Sequence, residues 1–194
     1  MARWEPDAQG RLQQAAMELF AERGYAEVTV AEIADRAGLT KRTFFNHFAD
    51  KREVLFAGAQ AFEDSVVAHL ADPDDDLAPI DAATQALTRA GQELARYGEY
   101  ARARQGLIAS STELQERDLI KTAALTSAIA EALRRRRVPA TTATLTAQAA
   151  AAVFTAAYAD WISDTGADLH ILMQRSLDDL RNALGHTPAP EGQS

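Results

Sequence analysis

The sequence of 194 residues contains no cysteine, which excludes disulfide frameworks, thiolate zinc sites and cysteine nucleophiles. Its 47% hydrophobic content, with 10 Gly and 6 Pro, predicts a helical globular protein of one or two domains that can bury a core. No apolar run suits a signal peptide or reaches membrane-spanning length, so we expect a soluble, cytoplasmic protein without membrane contact.

The acidic side chains are unevenly distributed along this chain of net charge −8. Residues 1–56 contain 8 of the 20 basic and 9 of the 28 acidic side chains, so the excess of acid lies after residue 56. Between Lys41 and Arg52 the balance is locally positive. Because binding to nucleic acid needs local rather than global positive charge, the net acidity does not exclude a nucleic-acid partner.

Three helices are predicted in the N-terminal part of the chain. The first spans residues 7–23, and its apolar positions are Leu12, Ala15, Ala16, Leu19 and Phe20. The second begins at a capping box formed by Thr29 and Glu32, and it ends at Gly38, because glycine accepts the left-handed conformation of a helix C-terminus. The third follows after a tight turn and is capped by Thr40.

The third helix has two chemically different faces. Phe44 and Phe48, at i, i+4 spacing, form an apolar face. The opposite face carries Lys41, Arg42, Thr43, Asn46 and His47. A short helix with one apolar face and one face of hydrogen-bond donors is what a DNA major groove requires, so the sequence predicts a helix-turn-helix at about residues 29–48.

The order helix–Gly–Leu–Thr–x–x–Thr–Phe–Phe–x–His–Phe–x–x–Lys, which ends at Lys51, resembles the TetR family of transcriptional regulators. The resemblance implies an all-α fold with an N-terminal three-helix DNA-binding domain, residues 1–50. It also implies a C-terminal helical domain for effector binding and dimerisation, residues 51–185. The tail, residues 186–194, holds two Pro, a Gly and polar residues and is predicted to be disordered.

The residues predicted to contact DNA fall into two groups. Those expected to face the major groove are Lys41, Arg42, Thr43, Asn46 and His47. Those expected to hold phosphates, together with backbone amides at helix N-termini, are Thr29, Thr40 and Lys51. Phe45 stands where the family usually has Tyr, which removes a hydroxyl that could bond a phosphate. The ring of Phe45 remains for packing or for contact with a thymine methyl.

Helical periodicity continues through the rest of the chain. A fourth helix is expected from residue 50 or 51 to about residue 70. It is followed by an acidic loop at 72–76, which lacks the Gly and the distant Glu of a calcium site. The remaining predicted helices span residues 81–97, 99–110, 112–137, 141–164 and 168–184.

The helix predicted at 141–164 carries two apolar stripes, more than one intramolecular face requires. The stripes are Val153, Ala157 and Trp161, and Phe154, Tyr158 and Ile162. One stripe can pack against the last helix and the other against a second subunit; a monomeric bundle with a thick core is the alternative. TetR-like proteins dimerise through their last two helices, so the resemblance implies a homodimer interface that contains Val153, Phe154, Ala157, Tyr158, Leu177 and Leu180.

An effector pocket is also implied by the resemblance. Candidates for its wall, each of which is core in the alternative interpretation, are Phe62, Leu87, Tyr97, Tyr100, Arg104, Leu107, Ile108, Leu125 and Trp161. The run from Arg102 to Ser111 is similar to TetR-like proteins that bind acyl-CoA-like effectors, which suggests a large apolar or acyl ligand. Arg102 and Arg104 are candidates to hold its acidic head, or else they belong to a solvated helix face.

Other functional classes find little support in the sequence. The four histidines, His47, His69, His170 and His186, are scattered, and no metal-ligand spacing, phosphate-binding Gly loop or nucleophile motif is present. We therefore expect no enzyme activity, cofactor or metal. The sequence predicts a homodimeric repressor that a small apolar or acyl-type effector releases from a palindromic DNA operator. The alternatives are a helical protein-interaction module and an activator without a small-molecule effector.

Overall fold

The computed structural model describes residues 8–71 and 77–185, and within these ranges all regular secondary structure is helical, which confirms the predicted all-α class. The acidic loop at 72–76 and the predicted disordered tail at 186–194 lie outside the described residues. The helices are α1 (Ala8–Arg23), α2 (Val30–Arg36), α3 (Lys41–His47), a 3-10 helix (Arg52–Phe56), α4 (Ala59–Leu70), α5 (Pro79–Ala95), α6 (Gly98–Ala109), α7 (Thr112–Arg135), α8 (Ala140–Ser163) and α9 (Leu169–Gly185).

The predicted fourth helix is divided in the structure into a 3-10 helix and α4. The side-chain carboxylate of Asp50 accepts hydrogen bonds from the backbone N of Arg52, at 2.8 Å, and of Glu53, at 3.2 Å, which starts a tight turn there. Gly58, a poor helix former, lies just before α4. The ends of the other helices agree with the predicted boundaries to within two residues.

The chain packs as two compact units. Among the described residues, the first unit comprises 8–63 and 99–124, and the second comprises 64–71, 77–98 and 125–185. This division differs from the predicted boundary between residues 50 and 51, because α6 and the first half of α7 group with the helix-turn-helix. Among the described residues, no helix has both the length and the apolarity that crossing a bilayer requires.

The first unit is built around a hydrophobic core beneath the helix-turn-helix. The predicted apolar face of α1 is buried. Phe44 and Phe48 of α3 are 0% and 4% exposed, with their ring centroids 5.4 Å apart. Ile108 of α6 and Leu114 of α7 belong to the same core. These two helices therefore help to fix the surface on which α3 lies.

The turn between α2 and α3 has the geometry that the sequence predicts. Gly38 has φ +66°, the N–H of Leu39 donates to the carbonyl of Ala34, and the N–H of Gly38 donates to that of Asp35. This is a Schellman motif, in which the left-handed residue ends the helix and satisfies its last carbonyls. The guanidinium of Arg11 donates to the carbonyl of Ala37 and so fixes the same turn to α1.

The second unit packs α5, α8 and α9 together. The buried side chains of α8 include Val153, Ala157 and Trp161, which form the first predicted stripe. A Cβ atom at Gly91 of α5 would lie 3.0 Å from Leu169 and 3.6 Å from Phe154, so these helices approach closely at that point. The first stripe therefore faces the interior of its own chain, as predicted for one of the two.

Candidate nucleic-acid interface

Helix α3 buries Phe44 and presents most of its polar side chains to solvent. Phe44 is completely buried, whereas Lys41, Arg42, Asn46 and His47 are exposed. The exposed set contains the two side-chain types best suited to bidentate base recognition, since Arg pairs with guanine and Asn with adenine. The predicted base-reading residues therefore lie together on the solvent side of one short helix, except for the half-buried Thr43.

The start of α3 is fixed by a threonine pair. The hydroxyl of Thr40 accepts from the backbone N of Thr43 at 3.1 Å, and the two hydroxyls are 2.9 Å apart. Thr40 thus satisfies one of the unpaired N–H groups that a helix start leaves. Its exposed side chain stays a candidate for phosphate contact.

Thr29 forms the predicted capping box with Glu32. The backbone N of Thr29 donates to the Glu32 carboxylate at 2.8 Å, its hydroxyl donates at 2.7 Å, and the backbone N of Glu32 donates to the hydroxyl at 3.3 Å. The Thr29 hydroxyl, together with the Arg23 guanidinium 2.7 Å away, lowers the pKa of Glu32 to about 2. A phosphate would have to compete with this ionised carboxylate for the donors of Thr29.

The ammonium group of Lys51 is directed toward the protein. Its Nζ atom donates to the carbonyls of Tyr25 at 2.7 Å and Val28 at 2.9 Å, and it lies 4.1 Å from the centroid of the Tyr25 ring. Burial lowers the pKa of Lys51 and raises that of Tyr25. The side chain fixes the segment that leads into α2, a role that the sequence did not predict, and phosphate contact by Lys51 stays a prediction.

Two clusters attach α6 and α7 to the 3-10 helix that follows α3. In the first, the carboxylate of Glu53 accepts from Arg117 at 2.5 Å and from Lys121 at 3.1 Å. Burial raises the pKa of Glu53, but the two cations outweigh it and hold the pKa below the usual value. In the second, Arg104 donates to the carbonyl of Leu55 at 2.7 Å.

Arg104 is therefore a structural residue of the first unit. Besides its bond to the Leu55 carbonyl, its guanidinium bonds Asp118 at 3.2 Å and lies 4.7 Å from the centroid of the Phe56 ring. Its side chain is 19% exposed. The sequence suggested Arg104 for a pocket and missed both clusters, because their partners lie 14 to 68 positions apart in the chain.

The other predicted pocket residues are divided between the two units. Ile108 and Leu107 pack against the core of the first unit, Leu87 and Trp161 are buried in the second, and Tyr97 is 68% exposed. The half-buried members, which retain surface for a ligand, are Phe62, Tyr100 and Leu125. A polar cleft of about 180 Å³ in the second unit contains none of the predicted residues; it is lined by Thr126, Ser127, Ala130, Arg134, Thr144 and Gln148.

Half of the predicted dimer-interface residues are already buried within one chain. Val153, Ala157 and Leu177 are 3%, 0% and 9% exposed, so they have almost no surface left to lose to a partner. The other three, Phe154, Tyr158 and Leu180, are half-buried. A third face of α8 is the more exposed one; it contains Leu145, Ala149, Ala152, Ala156 and Ala159.

Two family models match this chain. Residues 12–57 match the model of bacterial regulatory proteins of the tetR family, which covers the helix-turn-helix described above. Residues 77–185 match the model of the MftR C-terminal domain, which is more than half of the chain.

Curated relatives are similar over the N-terminal part. The transcriptional activator FasR of Mycolicibacterium smegmatis is 41% identical over 61 residues, which are 31% of this chain and 28% of that protein. The transcriptional repressor KstR2 of Mycobacterium tuberculosis is 38% identical over 69 residues, 36% of this chain and 34% of that protein. The matched segments thus span about a third or less of the relatives' length.

Solved structures are similar over nearly the whole chain. FadR of Thermus thermophilus, a TetR-family repressor in complex with lauroyl-CoA, is 25% identical, with 96% of this chain and 100% of that one covered and a TM-score of 0.55. SmeT, the repressor of a Stenotrophomonas maltophilia multidrug efflux pump, in complex with triclosan, is 21% identical, with 96% and 99% covered and a TM-score of 0.64. With the helix-turn-helix and both family models, these findings show that the chain belongs to the TetR family of transcriptional regulators, which are not enzymes.

Proposed function

We propose that this regulator is a homodimeric repressor that reads a palindromic operator through α3 and is released by an acyl-type effector. The observation that carries the DNA-reading part is the division of α3 into a buried aromatic face and an exposed face of base-reading side chains. Two such heads, related by a two-fold axis, would bind half-sites about one helical turn apart. The effector would favour a state in which the heads no longer match that spacing.

The proposed contacts follow the two groups that the sequence suggested, with Phe45 placed in the first group. The side chains proposed to face the major groove are Lys41, Arg42, Thr43, Phe45, Asn46 and His47. The side chains proposed to lie near phosphates are Thr29 and Thr40; Lys51, which the sequence also assigned to phosphate, is proposed instead to fix the segment that leads into α2 through its bonds to Tyr25 and Val28. Both hydroxyls already have partners within the protein, since that of Thr29 bonds Glu32 and that of Thr40 lies 2.9 Å from the hydroxyl of Thr43.

The first prediction concerns Arg42, the residue best able to pair with guanine in two hydrogen bonds. We expect Arg42→Ala to weaken operator binding by about 1–3 kcal/mol per head and to relax the preference at one base position. Arg42→Lys is the matched control, because it keeps the charge but lacks the planar pair of donors. Gel-shift titrations on operators varied at each position measure both effects. If each variant lost the same affinity on every operator sequence, Arg42 would contact the DNA backbone rather than a base.

The proposed dimer uses the exposed face of α8. Leu145 is 61% exposed, and Ala149, Ala152, Ala156 and Ala159 follow it at alternating spacings of four and three residues. This repeat places all five side chains on one side of the helix, and small side chains let two helices approach closely. An isologous contact of this face with its own copy would bury a surface that is apolar along its full length.

The proposed effector class rests on one relative and on half-buried aromatic residues of the first unit. Thermus thermophilus FadR, which is 25% identical over nearly the whole chain, binds lauroyl-CoA. Half-buried Phe62 and Tyr100, which both belong to the first unit, retain apolar surface for such a chain. Arg104 bonds Leu55 and Asp118 within the first unit, so it would have to give up these partners to hold the acidic head, for which Arg102 is the other candidate.

The second prediction tests this effector. We expect lauroyl-CoA to raise the thermal unfolding temperature, with stabilisation that grows with ligand concentration as mass action requires, and to release the operator in a gel shift. Free coenzyme A and laurate are the controls, because each supplies one part of the ligand. Stabilisation by small hydrophilic metabolites alone would exclude the acyl effector, point to the polar cleft between α7 and α8, and leave DNA binding intact.

Activation of transcription is the second candidate function. It is favoured by the similarity to FasR, which is named an activator, whereas KstR2 is named a repressor. Transcription of the regulated promoter should rise when the gene for this protein is deleted if it represses, and fall if it activates.

A further inference from the structure

Phe45 is exposed in the middle of the polar face of α3. Its side chain is 56% exposed, although its sequence neighbour Phe44 is fully buried and Phe48 is 4% exposed. The Phe44 and Phe45 rings are arranged in a T shape, with centroids 5.6 Å apart and an angle of 81° between the planes. This packing within the protein leaves more than half of Phe45 exposed to solvent.

The neighbours of Phe45 on the helix surface are DNA-binding side chains. Lys41 and Arg42 precede it by four and three positions, which places them beside the ring on the same side of the helix. Both are exposed. An apolar ring surrounded by cations that bind DNA will be covered when the helix enters a groove.

We propose that Phe45 determines specificity by contacting the C5-methyl group of a thymine in each half-site. This inference rests on the proposed reading of the major groove by α3. A phenyl ring has no donor for a phosphate, so placing it there would remove water from the phosphate without a compensating hydrogen bond. In the major groove, the thymine methyl is the apolar group that distinguishes one base pair from the others.

The expected size of the effect follows from the burial of one methyl group. Burying a methyl-sized apolar group corresponds to a change of about fourfold in the binding constant, and two half-sites together give roughly tenfold or somewhat more. Deoxyuridine differs from thymidine only by this methyl group, and it keeps the same hydrogen-bonding edge. Replacing thymidine by deoxyuridine therefore tests the contact without changing the base pair.

The experiment first selects bound duplexes from a random pool with the unmodified protein. Each thymidine of the selected half-site is then replaced by deoxyuridine in turn, and affinities are measured for the unmodified protein, Phe45→Ala and Phe45→Leu. We expect one position at which the unmodified protein loses about fourfold per half-site, while Phe45→Ala binds both duplexes equally. Phe45→Leu should retain part of the preference because it keeps an apolar contact.

Three results separate this inference from the proposed function. If every deoxyuridine replacement affects the unmodified protein and Phe45→Ala alike, the methyl contact is overturned, while selection of a duplex and its sensitivity to Arg42→Ala would still support reading by α3. If no duplex is selected, both ideas fail. Unchanged thermal unfolding of Phe45→Ala, expected for an exposed side chain, shows that a loss of binding does not come from misfolding.

Discussion

Ala156→Glu is expected to convert the protein to a monomer and to lower operator affinity by about a hundredfold or more. The loss is large because two linked heads bind a palindrome with an avidity that one head lacks. A glutamate in a dry, close-packed helix contact would bury a charge without a partner. Light scattering at micromolar concentration measures the mass, and a gel shift on the operator measures the affinity.

Ala156 is a better site for this test than the buried stripe of the same helix. Val153 and Ala157 are 3% and 0% exposed, so a charge there would unfold the second unit whether or not a dimer exists. Ala156 is exposed within one chain, so glutamate is tolerated in the monomer. At high dilution, the thermal unfolding temperature of Ala156→Glu should therefore differ little from that of the unmodified protein.

Two further variants show where the interface lies. Ala68→Glu makes the same substitution at an exposed position of α4 and should leave the dimer intact. Tyr158→Glu changes the half-buried aromatic flank of α8, which consists of Phe154 and Tyr158. The two rings stack with centroids 5.8 Å apart. A dimer that survives Ala156→Glu but not Tyr158→Glu would move the interface to that flank. A monomeric unmodified protein that binds a palindrome as one copy would contradict the homodimer.

The helix-turn-helix could be predicted because its signals are local. The capping box of Thr29, the left-handed Gly38 and the pair Phe44 and Phe48 each act over at most five positions, and the structure contains all of them. These hydrogen bonds and contacts form between residues that are close together in sequence, so contacts with residues far away in the chain do not change them. The buried face of α1 could be predicted for the same reason.

The use of each face in the second unit could not be predicted in the same way. Periodicity indicated that α8 is apolar over a wide arc, but it does not say which part of that arc packs within the chain. The sequence assigned Val153 and Ala157 to the dimer, whereas they pack against the chain's own helices. Alanines such as Ala152 and Ala156 allow close helix approach, but a small side chain is compatible with either an exposed or a buried face.

The polar contacts of Lys51 were beyond the reach of sequence reasoning for a different reason. Its acceptors are the backbone carbonyls of Tyr25 and Val28, 26 and 23 positions away, and carbonyls carry no sequence signal. A lysine after a DNA-reading helix is therefore interpreted most simply as a phosphate ligand. The same limit applies to Glu53, whose partners Arg117 and Lys121 lie on α7.

Lys51→Met is expected to destabilise the protein by about 2–3 kcal/mol, since charge-assisted hydrogen bonds contribute about 1.5–3 kcal/mol and two carbonyls would lose their donor. Methionine keeps most of the apolar stem, so the loss reports the ammonium group rather than packing. Urea unfolding followed by circular dichroism measures the stability. At temperatures where the variant stays folded, the dependence of operator affinity on salt should be unchanged, because the ammonium does not release a counterion from the DNA.

Lys41→Met is the matched lysine control, because Lys41 is exposed on α3. Its stability should stay within about 0.5 kcal/mol of the unmodified protein, as for most surface substitutions. The dependence of its operator affinity on salt should become shallower, by about one unit in the slope of log affinity against log salt, because a cation that enters the groove displaces counterions from the DNA. If the two variants behaved the other way round, Lys51 would be the phosphate ligand that the sequence suggested. Its bonds to Tyr25 and Val28 would then have to open when DNA binds.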